Sequence, residues 1–190
     1  MRLESLINGI NREMYQKIVD NHEIDPEIAK KTAEIVGLSA IKYGDLSNQA
    51  SKDYVFDIDR FTSFEGNTGP YILYTIVRIK SILAKYRELG KDPADCRITS
   101  PESESEKALM LILAAYNEVM ENAYAELAPH KICSFIYEAA NAFNKFYHET
   151  KIITEEDEGR RAGWIALLTL TRDILEQSIY VLGFAAPERM

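Results

Sequence analysis

Apolar residues recur every three to four positions through most of the chain, the period of amphipathic helices, and polar or Gly/Pro-containing breaks divide the pattern into segments. Leu3, Leu6, Ile7, Ile10, Met14 and Ile18 predict a helix over 1–20, ended by Asp20, Asn21 and His22. A second helix begins where Asp25 can cap, Pro26 fits the first position and Glu27 meets the positive end of the helix dipole. It is expected to run to Gly37. Ser39 is then read as the cap of a third, short helix through Ala40, Ile41, Tyr43 and Leu46. Residues 47–66 read as loop, with one helical turn around Asp57–Ser63 and an extended Tyr54–Phe56. From Asn67–Pro70 a long helix starts, with Ile72, Ile76, Ile79, Leu83 and Tyr86 as its core stripe, and it continues to about residue 89.

Beyond Gly90 the stretch Cys96–Ser105 is a linker rich in Ser, Pro and Glu, with Ser100 or Ser103 as the cap of the helix after it. That helix carries the apolar series from Leu109 to Leu127, with an expected kink at Asn117. Pro129 opens the cleanest stripe in the chain, through Ile132, Phe135, Ile136, Ala139, Ala140, Phe143, Phe146 and Tyr147. A last helix spans about Arg160–Leu182, Gly183 closes it, and Phe184–Met190 form a non-helical tail. No strand is expected. The predicted fold is all-α, a helical bundle.

Composition narrows the function. A chain of 190 residues with 46% hydrophobic residues and mean hydropathy −0.23 has the makeup of a soluble globular protein. Its net charge of −8 and pI near 5.0 argue against indiscriminate nucleic-acid binding, which relies on a broad surplus of Lys and Arg. Any RNA contact must be local. Cys96 and Cys133 lie far apart and in no C-x-x-C, so neither a disulfide framework nor a zinc site is indicated, and a reducing, cytoplasmic setting fits. No apolar run approaches a membrane span. Catalytic signatures are lacking too: there is no G-x-x-x-x-G-K loop, and the residues three before His22, His130 and His148 are Val19, Leu127 and Lys145, which rules out paired Glu-x-x-His metal ligands.

Binding chemistry concentrates on the long helix. Tyr74, Arg78, Ser81 and Lys85 share a stripe away from its core face, placing an aromatic, a guanidinium and an ammonium side by side. Such a face can stack a base and hold a phosphate. By periodicity alone the same residues are also ordinary solvated positions, and Tyr147 is a core aromatic beside Phe143. The glycine-rich turn Gly66–Gly69 reads either as an anion-binding nest or as a loop-to-helix junction that needs backbone freedom.

The run AIKYGDLS, followed by SKDYVFDIDRFTSFEGNTGPYILYTIVRI, then PHKICSFIYEAANAFNKFYH and the ending LGFAAPERM, resembles class I arginyl-tRNA synthetases over most of residues 36–190. In that family the F-E-G-N-T-[AG]-x-Y segment leads into a helical anticodon-binding domain. The resemblance implies a helical bundle of that type in 67–190. It makes 1–66 a helical segment that comes after the catalytic signature loop and joins a catalytic domain not contained in this sequence. No His-x-Gly-His or K-x-S-K motif of that catalytic domain occurs here, so no catalytic residue, metal ligand or cofactor is assigned; ATP and arginine would bind the other domain. The implied partners are the tRNA for arginine, through its anticodon stem-loop, and the catalytic domain, through the N-terminal helices. Tyr74 and Arg78 match the family's Y-x-x-Y-x-x-x-R pattern, Tyr147 its F-x-x-F-Y helix end, and Met190 its R-M terminus, and these four are the implied RNA contacts. Thr75-Ile76 departs from the Ala-Tyr or Ala-His common after the second tyrosine. The rival reading from charge is a non-catalytic helical scaffold that binds another protein.

Overall fold

The computed structural model describes residues 2–21 and 25–190, so Met1 and the expected helix end at His22 fall outside them. Among the described residues eight helices succeed one another: α1 (Leu3–Asn21), α2 (Pro26–Leu46), α3 (Ile58–Phe61), α4 (Gly69–Glu88), α5 (Glu104–Ala114), α6 (Tyr116–Ala125), α7 (Pro129–Glu149) and α8 (Glu158–Val181), with a short 3-10 turn at Pro93–Asp95. Among the described residues there is no strand, and the fold is all-α. Most boundaries arise from local capping chemistry. Asp25 accepts from the N–H groups of Glu27 and Ile28, Asp57 from Arg60, Thr68 from Tyr71, and Asp157 from Arg160. Ser103, rather than Ser100, caps α5 and accepts from the N–H of Glu106. The buried Glu106 side chain reaches back to the N–H of Glu102 in a near-reciprocal capping box.

Two expectations fail. The second and third helices are one, because neither Gly37 nor Ser39 interrupts α2. Gly37 is there for close approach: a Cβ on it would lie 2.2 Å from Asn11 Oδ1 of α1. Ser39 turns its hydroxyl back onto the Val36 carbonyl at 2.6 Å, a bond a helix interior tolerates, and so acts as no cap. The kink expected at Asn117 is a full break one residue before Tyr116, at Ala115, which separates α5 from α6 and lets each lie on α7 separately. Tyr116 thereby meets Phe135 of α7 at 6.0 Å between ring centroids.

The core gathers the predicted stripes of α4 and α7, the inner face of α8 and the small face of α2. The first helix contributes Ile10, Met14 and Ile18, which pack on α2, whereas Leu3 (65% exposed) and Ile7 (36%) stay at the surface. At the centre Tyr43 is fully buried. Its hydroxyl lies 2.6 Å from Asn67 Oδ1 and 2.9 Å from the Cys133 carbonyl oxygen, so one proton serves two acceptors and ties α2 to the turn before α4 and to α7. Burial pushes this phenol well above its ordinary pKa, so it stays a donor at any working pH. A Tyr43→Phe chain is expected to lose about 1–3 kcal/mol, the penalty for orphaning buried acceptors. Urea unfolding measures it, and a midpoint equal to wild type would mean that the hydroxyl contributes nothing.

Candidate nucleic-acid interface

The register of α4 is set at its first turn. Thr68 Oγ1 donates to the Ser63 carbonyl (2.6 Å) while accepting from Tyr71, and Asn67 is engaged by Tyr43. Gly69 sits so tightly on α2 that a Cβ would come 2.4 Å from the Ser39 carbonyl oxygen. Asn67 Oδ1 and Thr68 Oγ1 are thus both engaged within the protein, while Gly66 and Asn67 remain at the surface. With the turn pinned, Ile72, Ile76 and Ile79 point into the core, and the opposite side carries Tyr74 and Arg78 outward.

Arg78 is only half-buried but closely held. Its guanidinium carbon lies 4.7 Å from the ring centroid of Tyr74 and 5.2 Å from that of Tyr147, and Nη1 donates to Asn144 Oδ1 at 2.6 Å. Asn144 in turn donates from Nδ2 to the Tyr71 hydroxyl (2.8 Å) and to Thr75 Oγ1 (3.3 Å). Tyr71 passes its own proton to Asn141 Oδ1 at 2.7 Å. Burial raises the Tyr71 pKa, partly offset by the Asn144 bond, which keeps the hydroxyl neutral and the chain of donors intact. The cation is therefore fixed on one edge by a polar relay between α4 and α7 and flanked by two aromatic rings. Guanidinium has five N–H donors, so most remain available to acceptors on a ligand.

Tyr147 is partly packed and partly open. Its ring stacks on Phe143 at 6.0 Å and 27°, meets His148 edge-on at 5.7 Å, and remains half-buried. Tyr74 is 41% exposed. Met190 is placed by the tail, half-buried against the core. Lys80, two residues beyond Arg78, pins that tail: its Nζ lies 2.7 Å from Glu188, 2.9 Å from Glu176 of α8 and 3.5 Å from the Pro187 carbonyl. Burial would lower the Lys80 pKa, but the bonds and charges of Glu188 and Glu176 outweigh it and the net shift is upward. Lys80 therefore stays protonated through neutral pH, and its contribution to the latch is lost as pH rises past the lysine range.

Tyr74, Arg78 and Tyr147 are thus brought into one cluster from two helices, and the tail bearing Met190 is anchored to the same helix α4. Sequence reasoning missed Tyr71, Asn141 and Asn144. A signal existed: two asparagines at i and i+3 in the most amphipathic helix are poor helix formers whose presence asks for a partner. No catalytic constellation accompanies the cluster. Among the described residues no group of three or more His, Cys, Asp or Glu is arranged to hold a metal ion, and no helix is long and apolar enough to cross a membrane. Both cysteines are free and buried, and burial pushes the Cys133 thiol up to about 12, far from a reactive thiolate.

Comparison with known proteins converges on one family. Residues 72–190 match the DALR anticodon binding domain. The arginine–tRNA ligase of Agathobacter rectalis is 58% identical over an alignment covering 100% of this chain and 33% of that protein; the one from Alkaliphilus oremlandii is 52% identical, covering 100% and 32%. Among solved structures, the arginyl-tRNA synthetases of Thermus thermophilus and Plasmodium falciparum each superpose with a TM-score of 0.87 at 25% identity. Both alignments cover 100% of this chain, against 32% and 34% of theirs. The chain spans about a third of the length of the relatives it matches, their C-terminal third, and does not include the catalytic domain. These matches favour the RNA-binding reading over the protein-binding scaffold that the acidic charge left open. On the match across 72–190, the chain belongs to the DALR anticodon-binding domain family.

Proposed function

We propose that this chain recognises the anticodon loop of the tRNA for arginine, as the C-terminal part of an arginine–tRNA ligase. The observation that carries the reading is the Arg78 guanidinium lying over both Tyr74 and Tyr147. A loop base can be splayed out and stacked on such rings, and its edge or flanking phosphate can accept from the remaining guanidinium N–H groups. Met190, on the tail that Lys80 holds to α4, is assigned to the same site. The middle C shared by arginine anticodons is the base assigned to it. In this reading 67–190 form the recognition domain, and 1–66 join it to the catalytic domain, which would bind ATP and arginine. The exposed Leu3 and Ile7 of α1 are apolar surface suited to packing there. The setting is cytoplasmic, with no membrane role. Fluorescence anisotropy with an arginine anticodon stem-loop, and with the same loop carrying a replaced middle C, tests the reading: tighter binding of the C loop is expected, and equal affinities would overturn it.

A further inference from the structure

The polar relay beside Arg78 runs in one direction. Tyr71 has a single hydroxyl proton, which goes to Asn141 Oδ1 at 2.7 Å, so toward Asn144 its oxygen can only accept. Thr75 is in the same position: its hydroxyl donates to the Tyr71 carbonyl at 3.0 Å and turns lone pairs toward Asn144. The Asn144 amide must therefore point its NH2 group at these two oxygens and its Oδ1 at Arg78, where the 2.6 Å bond lies. Reversed, the amide would set oxygen against oxygen on one side and N–H against the guanidinium N–H groups on the other. Three partners thus lock one side chain in one orientation.

What Asn144 holds is a cation without a counter-charge. Arg78 forms no ion pair among the described residues, so the amide fixes the guanidinium without neutralising it, as a carboxylate in its place would. One N–H is spent on Asn144, and the rest of the fork keeps a set direction. Direction matters more for reading a base than for attracting charge. Cytosine presents N3 and O2 as neighbouring acceptors on its pairing edge, whereas uracil carries a hydrogen on N3, so donors aimed at those two atoms fit one base and meet an N–H on the other. A guanidinium free to swivel would turn its donors to the uracil carbonyls or to a phosphate and lose the distinction.

We infer that Asn144, locked by Tyr71 and Thr75, is the positioning residue that gives the Arg78 site its preference for a middle C, an inference that rests on the anticodon-loop reading above. Thr75 is fully buried and touches no ligand, and both polar atoms of the Asn144 side chain are engaged inside the protein. Their effect reaches the base through Arg78.

Two measurements on the full chain test this. Without RNA, nitrogen NMR follows rotation of the Arg78 guanidinium about its Nε–Cζ bond through exchange between Nη1 and Nη2. Asn144→Ala is expected to speed that exchange, and an unchanged rate overturns the inference. With RNA, anisotropy compares arginine anticodon stem-loops carrying a middle C or a middle U. Asn144→Ala, and Tyr71→Phe, which keeps the ring but removes the acceptor, are each expected to lower the C-over-U affinity ratio about five- to tenfold, within what a well-placed bidentate contact supplies. Thr75→Val should lower it less, because its bond to Asn144 is the longer one at 3.3 Å, and Thr75→Ser should restore it. A loss of packing alone would weaken both loops by one factor and leave the ratio where it was. Urea midpoints separate destabilisation from binding, and where Asn144→Ala does not fold, Tyr71→Phe and Thr75→Val decide. Equal affinities for the two loops in the wild type overturn the anticodon-loop reading and the specificity role with it. A wild-type preference for C that survives in these variants overturns the inference alone.

Discussion

Tyr147→Ala is expected to weaken binding of the arginine anticodon stem-loop about tenfold or more, and Tyr74→Ala by a similar factor. Each ring offers a stacking surface, and a base stacked on an aromatic is typically worth about 1–3 kcal/mol. The two losses should not simply add, because both rings flank the same Arg78 guanidinium, and groups that share a partner couple. Tyr74 is well exposed, so its removal should leave the unfolding transition near wild type while binding falls. That separation distinguishes a binding residue from a packing residue. Isothermal titration of the two single variants and the double measures both the losses and the coupling; variants indistinguishable from wild type would reduce the tyrosines to surface and packing roles.

Phe143→Ala is expected to cost about 3–5 kcal/mol of stability, the range for emptying an aromatic site in a packed interior. The side chain is 0% exposed and lies in the core shared by α4, α7 and α8. Set against the roughly 5–15 kcal/mol typical of a domain, this is a large fraction, and the urea midpoint should drop with little change in slope. Phe143 is also the floor under Tyr147. A chain still folded after the change should therefore bind the stem-loop less well, since the ring above loses its support. A loss below about 1 kcal/mol would mean that neighbouring side chains refill the cavity, and would contradict the rigid packing on which the cluster's placement depends.

Features that depend on near neighbours could be read from the residues alone. Helix positions are set by apolar spacing, and the capping roles of Asp25 and Ser103 depend on bonds to groups two or three residues away, so one stretch of sequence contains both partners. The exposed stripe with Tyr74 and Arg78, and the family likeness that singled out Tyr147 and Met190, were legible for the same reason. Other features needed the assembled helices. Gly37 looked like a helix stop until α1 was seen pressed against it, because a glycine's local preference is weak beside the packing gained by close approach. The break at Ala115 answers to α7, and Tyr43 to a carbonyl 90 residues away. Arg78 shows the limit most plainly: its charge was evident in the sequence, but the Asn144 that fixes its direction lies 66 residues on, and no periodicity along a single helix encodes which side chain of another will meet it.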